Sequence, residues 1–492
     1  MTTSADPTTR APWTDQIFVG GRFQPPAAAG TQLSYEKATG EPLGSVGVGD
    51  ADDVAAAAEA ARVAQVGWAA LPPVARAAAL RRVHARLLAR SDEVAEAIQR
   101  ETGGIRFKAE LEIRLALAHL EQAAALATRP LGHEATSILP GRKNFVNHVP
   151  LGVVGIITPW NLPLSLAFSP TAPALALGNT VVLKPAPHTP ISGGLLIADL
   201  FREADVPPGV FNVVPGGDVV GAALVEHPDV DMIRFTGSTE VGRHIARSAG
   251  GRLQRVSLEL GGNAALVVLD DADPEVASMV GAWSSFHFQG QTCITAGRHI
   301  VLRAVADAYI EMLTRRAKRL VVGDPMRGDV DMGPMIDTRQ LERAHGLLRA
   351  SVDMGATVVE GGTYDGLFYR PTVVTGVTPD MPVFREEVFG PIAPIVVVDT
   401  EEEALALTNA TAYGLSNAVM TSNPWRGLRF AEQVHSGMVH VNDTTCLSEA
   451  TIPFGGWGDS SLGVPTGGDA NIEQYTERRW ISVQEQPPQY RY

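Results

Sequence analysis

The chain has 492 residues, 45% apolar and 19% charged, an ordinary globular mixture that excludes disorder and calls for roughly two to four domain-sized units. Its 40 Lys and Arg face 54 Asp and Glu, a net charge of −14 without a basic run, so neither nucleic acid nor an anionic membrane is an expected partner. Only Cys293 and Cys446 occur, no signal-peptide pattern opens the chain, and Pro163, Pro170 and Pro173 break the longest apolar stretch; a soluble, cytoplasmic protein is expected.

Residues 1–14 read as a loose tail. An Ala-rich helix is expected from Asp50 to Trp68, opened by Asp50, Asp52 and Asp53, whose carboxylates suit a helix start. Helices over 74–100 and 104–128 follow. From Val153 onward, short β-branched runs at 153–157, 181–183, 211–214 and 232–235 alternate with helical stretches near 162–177, 188–203, 218–227 and 238–249. That alternation predicts right-handed βαβ units on a parallel sheet. A second series places strands at 264–269, 300–302, 395–398, 416–420 and 438–441. Two α/β halves then meet near residue 260, and the crevice beyond their strand ends is the expected site. The strand-like segments 142–149 and 478–484 belong to neither half. Unpaired edges of that kind need a cover, for which a partner subunit is one candidate.

Cys293 lies in the polar, Gly-punctuated run from Phe288 to Arg298, after an expected helix; alone it reads either as a structural thiol or as a nucleophile. Glu259 ends an apolar strand before Gly261 and Gly262. There it either faces solvent or, if buried, carries a raised pKa useful to a base. Asn161, in Thr158-Pro159-Trp160-Asn161, either caps the next helix or aims its amide at a developing oxyanion, the cap being the commoner use. Gly237 and Ser238 turn a strand into a helix whose first amides attract phosphate. No P-loop or GxGxxG follows a strand, and no His/Cys/Asp spacing suggests a metal.

Taken in order, seven segments make the chain resemble the aldehyde dehydrogenase superfamily along nearly its whole length. They are Pro159-Trp160-Asn161, Lys184-Pro185, Phe235-Thr236-Gly237-Ser238-Thr239, Glu259-Leu260-Gly261-Gly262-Asn263, Gly290-Gln291-Thr292-Cys293, Glu386-Glu387-Val388-Phe389-Gly390-Pro391 and Pro453-Phe454-Gly455-Gly456. The resemblance implies an α/β fold with two parallel-sheet domains, a Rossmann-like cofactor domain and a catalytic domain, plus a small β arm for homodimer or homotetramer assembly. The expected division is 1–130 and 150–260 for the cofactor domain, 261–441 for the catalytic domain, and 131–149 with 473–492 for the arm. Residues 442–472 return to the cofactor domain and the substrate tunnel.

By the same resemblance Cys293 is the nucleophile that passes through a thioester, Asn161 and the Cys293 amide hold the oxyanion, and Glu259 activates the hydrolytic water. Lys184 is expected at the adenine ribose, Gly237 and Ser238 at the pyrophosphate, Glu387 at the nicotinamide ribose, and Trp160 and Phe389 near the nicotinamide. The cofactor is NAD or NADP, with NAD favoured. Pro187 stands where members that prefer NAD commonly carry a Glu, which removes a repulsion against a 2′-phosphate.

The segments around Cys293, from Val439 to Gly456 and from Asn471 to Trp480 are similar to the benzaldehyde, vanillin and salicylaldehyde branch. An aromatic aldehyde is therefore the expected small-molecule substrate. Leu162, Leu166 and Ser169 are expected along one wall of its tunnel, with Cys446, Leu447 and Phe454 opposite. Two readings within the superfamily stay open: a broad or aliphatic aldehyde dehydrogenase, and a CoA-acylating semialdehyde dehydrogenase, against which the base at Glu259 argues. A non-enzymatic binding protein on this fold is the remaining alternative, and the intact Cys293, Glu259 and Asn161 oppose it.

Overall fold

A computed structural model describes residues 11–28 and 30–490; residues 1–10 of the expected tail and 491–492 of the expected arm lie outside the described residues. The rest of that tail is not loose. Trp13 packs against the core, and Thr14 bridges to Val46 of the hairpin Gly30–Tyr35/Pro42–Val48.

The β-branched run Val153–Ile157 is buried at every position, as a parallel strand covered on both faces must be. It lies inside an eight-stranded sheet. There it pairs in parallel with Thr180–Lys184 on one side and Met232–Thr236 on the other. Phe211–Val213 and Arg255–Glu259 extend the parallel block outward. Val154, Ile156, Val181 and Leu183 face one hydrophobic cluster, which also takes in the helices Pro73–Ala89, Arg106–Leu126 and Pro163–Ala176. Val153, Ile157, Val182 and Phe235 face another, closed by Ala51–Ala70, Asp218–Glu226 and Thr239–Gly251. Each fully buried aliphatic side chain of this kind contributes about 1.5–3 kcal/mol.

Residues 260–263 then carry the chain into a seven-stranded sheet. Ala264–Val268 lies in its interior, between Ala296–Leu302 and Ser416–Met420, all parallel. Ile392–Val398 and Met438–Val441 continue the sheet on the two sides. Among the described residues no helix is long and apolar enough to cross a membrane.

The two segments that fitted neither half pair with each other: Thr476–Gln484 runs antiparallel to Arg142–Pro150 along its full length, and Gly132–Ala135 flanks the latter. Two expected elements differ in extent. The helix expected over 74–100 is two helices, Pro73–Ala89 and Ser91–Thr102, because Arg90 leaves helical geometry (φ −108, ψ 21) while its guanidinium binds Glu93, Asp199 and Glu203. The strand expected at 300–302 begins at Ala296. Arg298 is accommodated inside it because its guanidinium donates to the carbonyls of Asn263, Leu407 and Thr408 and lies over the Phe384 ring.

Helix Arg106–Leu126 also carries a fully buried ion pair, Lys108 with Glu112. Glu112 accepts the Leu164 and Ser165 amides at 3.0 and 3.3 Å, which caps Pro163–Ala176 from outside. Breaking such a pair from one side leaves a buried charge alone. Lys108→Met and Glu112→Gln, which strands the Lys108 ammonium, are therefore each expected to cost about 3–5 kcal/mol in denaturant unfolding.

Candidate active site

Strand register sets one row of functional positions. Lys184 pairs with Ile157, Ile157 with Phe235, and Phe235 with Leu258, so four strand ends lie level at the carboxyl edge of the first sheet. Of the parallel strands the chain lays down Val153–Ile157 first, moves outward to Thr180–Lys184 and Phe211–Val213, then returns to the other side at Met232–Thr236. The crevice opens where that order reverses, between the loop after Ile157 and the loop after Thr236.

The first loop carries Trp160 and Asn161. Asn161 does not cap the following helix, contrary to the commoner use of such a residue. The N-cap is Leu162, without a side-chain bond, and Glu112 takes the helix amides instead. Asn161 is 7% exposed and donates one N–H to the Gln291 carbonyl at 2.9 Å, leaving its second N–H uncommitted and its Oδ1 without a partner. Trp160 meets Phe389 edge to face at 5.5 Å, and Phe389 holds a left-handed backbone (φ 53).

Glu259 does not face solvent. It is 3% exposed, and neither carboxylate oxygen has a hydrogen-bond partner in the protein. Arg234 approaches to 3.8 Å but directs its bonds to Thr466 and to the Phe235 and Ser257 carbonyls. Burial raises the Glu259 pKa to about 7 against the opposing pulls of Arg234 and the nearby Ser461 hydroxyl. A buried carboxylate left unsatisfied is costly and is found chiefly where chemistry uses it. Arg234 was not singled out from the sequence, although a charged residue within the apolar run Met232–Thr236 was its available signal.

Cys293 comes from the second sheet. Its loop joins helix Pro274–Phe286 to strand Ala296–Leu302 and reaches the Glu259 turn, so that a Cβ on Gly262 would overlap the Cys293 carbonyl oxygen. The loop is tied down by Gln291, which accepts the Ile336 amide at 3.1 Å, and by Gln289, which donates to the Gly103 and Pro334 carbonyls. Burial, the Glu387 and Glu259 carboxylates and Cys446 all push the Cys293 thiol pKa upward. Glu387 accepts the Gly262 amide at 3.0 Å, and burial raises its pKa to about 7.

A dinucleotide fits the remaining positions. Lys184 is 6% exposed, yet its ammonium donates only to the Pro185 carbonyl at 3.1 Å, and burial lowers its pKa to about 8. Two N–H groups are left for a ligand. Ser238 caps helix Thr239–Gly251 by accepting the Val241 amide, and that helix begins just after Thr236, at the carboxyl edge of the sheet. At Gly237 a Cβ would meet the Phe235 ring, so backbone alone lies there. Pro187 is exposed, and its carbonyl is held by Gln32 at 2.7 Å.

Leu162, Leu166 and Ser169 are the half-open positions of an otherwise buried helical stretch, spaced four and three apart on one face. Cys446 lies against the Cys293 loop, with Sγ 3.4 Å from the Ile294 carbonyl and 3.6 Å from that of Ser284. Leu447 follows it and is half-buried, as is Phe454, whose backbone bridges to Thr466.

A doubly wound sheet with a carboxamide at its switch point, sewn through residues 260–263 to a second sheet that delivers a thiol, has the architecture of aldehyde-oxidising dehydrogenases. The chain belongs to the aldehyde dehydrogenase family, whose model matches residues 24–481. It is 45% identical to the benzaldehyde dehydrogenase [NAD(+)] of Pseudomonas putida over 97% of this chain and 98% of that one. It is 46% identical to the vanillin dehydrogenase of an Amycolatopsis species over 96% of each chain. Among solved structures, an NADP-dependent enzyme of E. coli superposes with a TM-score of 0.93 at 34% identity, over 96% of this chain and 98% of that one.

Gly262 has no space for a methyl group. Gly262→Ala is expected to displace the Cys293 loop and lower kcat by about a hundred-fold or more, while cofactor affinity, measured by fluorescence titration, changes little.

Proposed function

We propose that this protein oxidises an aromatic aldehyde to its carboxylic acid with NAD, and also with NADP, through a thioester on Cys293. The observation that carries the reading is the buried Glu259 carboxylate, which accepts no hydrogen bond within the protein and is held one turn from the Cys293 loop. The Cys293 sulfur, once deprotonated, bonds to the aldehyde carbon, and the carbonyl electrons move to oxygen. The free N–H of Asn161 and the Cys293 amide receive that oxyanion, each donor contributing about 3 kcal/mol. A bound nicotinamide supplies the hydride acceptor, with Lys184, Gly237, Ser238 and Glu387 holding its dinucleotide and Trp160 and Phe389 beside the ring. Departure of hydride leaves a thioester on Cys293. Glu259 then takes a proton from water, whose oxygen attacks the acyl carbon, and the carboxylic acid leaves as the sulfur regains its proton.

The aromatic substrate is supported by the activities named for the bacterial relatives, by the half-open Leu162, Leu166 and Ser169 on one helix face, and by Cys446 beside the Cys293 loop. Pro187 presents no carboxylate beside Lys184, which leaves a 2′-phosphate unopposed but also unpartnered, so NAD is the better cofactor. The paired arm Arg142–Pro150/Thr476–Gln484 exposes Trp480 (67%) and, in the loop beside it, Ile138 (98%), which supports assembly of copies through this sheet into a homodimer or homotetramer.

Glu259 acts as a base only when ionised, so kcat is expected to rise with pH through about 7. Glu259→Gln should keep a rapid burst of reduced cofactor, lose that inflection and turn over about a hundred-fold more slowly or worse. An inflection that persists near 7 in this variant assigns it to Glu387 instead.

The substrate reading is tested by kcat/KM for benzaldehyde, hexanal, acetaldehyde and succinic semialdehyde, each with NAD and NADP. Burial of the ring should favour benzaldehyde over acetaldehyde by roughly two decades. A short aliphatic or acidic aldehyde in front would refute the aromatic assignment.

A further inference from the structure

Ser285, His299 and Tyr309 form a buried chain that the chemistry above does not use. The Tyr309 hydroxyl lies 2.6 Å from His299 Nδ1, His299 Nε2 lies 2.6 Å from Ser285 Oγ, and Ser285 Oγ donates to the Ala296 carbonyl at 2.9 Å. All three side chains are wholly buried. One proton arrangement satisfies every link: Tyr309 donates to Nδ1, Nε2–H donates to Ser285, and the Ser285 proton goes to Ala296. Burial keeps that arrangement in place, lowering the His299 pKa to about 3, so that the imidazole stays neutral, and raising that of the Tyr309 phenol. The helix makes a concession to the chain. At Gly281 a Cβ would overlap the Tyr309 hydroxyl, and a glycine within a helix costs about 0.5–1 kcal/mol relative to alanine.

The chain ends on both sides of a single loop. Ser285 stands next to last in helix Pro274–Phe286, and Ala296 is the first residue of strand Ala296–Leu302. Between them lie Cys293 and three consecutive left-handed residues, Phe288 (φ 55), Gln289 (φ 58) and Gly290 (φ 66). Non-glycine residues in that region cost about 1–3 kcal/mol each and persist only where their surroundings hold them.

We propose that Ser285, His299 and Tyr309 are positioning residues: they clamp the base of the Cys293 loop and so fix the Cys293 amide and sulfur relative to the Asn161 carboxamide. The proposal rests on Cys293 being the nucleophile. Asn161 already reads the loop position through its bond to the Gln291 carbonyl, so a shift at the base reaches both oxyanion donors together.

The test compares Ser285→Ala, Tyr309→Phe and their double variant with the parent and with Cys293→Ala. It measures thermal midpoint, kcat, KM for each substrate, and the rate at which iodoacetamide alkylates Cys293, followed by peptide mass. Ser285→Ala should lower kcat about ten-fold, leave the cofactor KM within about two-fold and change the alkylation rate. Tyr309→Phe should lower kcat less, and the double variant should be no slower than Ser285→Ala alone, because both changes cut one chain. Lower thermal midpoints with kcat and alkylation unchanged would mean a merely structural network and overturn the proposal; losses that multiply fully would overturn the single chain. Turnover surviving in Cys293→Ala removes the nucleophile and the proposal with it, a result distinct from either clamp outcome.

Discussion

Gly262 has no room for a side chain because the Cys293 carbonyl oxygen occupies that space, so the turn after Glu259 and the Cys293 loop meet backbone to backbone. The same short crossing is held from every side. The Gly262 amide binds Glu387, the Asn263 amide side chain donates to the Phe384 carbonyl, and the Asn263 carbonyl accepts from the buried Arg298. Glu259 is the residue that ends the first sheet just before this crossing, and Cys293 arrives from the second. Their relative position is therefore set by packed backbone, which yields far less than a pair of side chains meeting across a gap.

Electrostatics in the crevice pull against ionisation. Glu259 and Glu387 are both raised to about 7 by burial, and their charges in turn raise the Cys293 thiol. The thiol therefore does not titrate independently of the two carboxylates: once they are ionised, its own proton is harder to remove. Arg234, which donates its hydrogen bonds to neutral acceptors, pulls the Glu259 pKa down, and Arg343 that of Glu387, but burial outweighs both. A site of this kind holds its thiol protonated at rest and gains a usable base near neutrality, which suits a reaction that must deprotonate first a thiol and then a water.

The strand–helix alternation from Val153 onward was legible in the sequence because parallel strands buried on both faces must be continuous apolar runs, and their ends fall within a few residues of the expected positions. The motif residues were legible for a related reason: Lys184, Asn161, Gly237 and Glu259 all sit at strand ends, where regular patterning breaks. Where the structure departs, a distant partner decides. The local sequence suits Asn161 to a helix cap, yet Glu112, from another helix, takes those amides and releases Asn161 to bind Gln291. Arg90 breaks a helix that the local sequence favours because Asp199 and Glu203 draw its guanidinium aside.

The sequence by itself determined the α/β class, the order of the strands along the chain, the family and the identity of the residues at the strand ends, since each of these is written in local pattern or in ordered motifs. Tertiary structure alone decided which strands are neighbours, that segments 142–150 and 476–484 pair with each other, that Glu259 is buried without a partner, and that Ser285, His299 and Tyr309 join behind the Cys293 loop. Pairing across hundreds of residues and the loss of water around a single carboxylate depend on what the rest of the chain brings close, and no local pattern carries that.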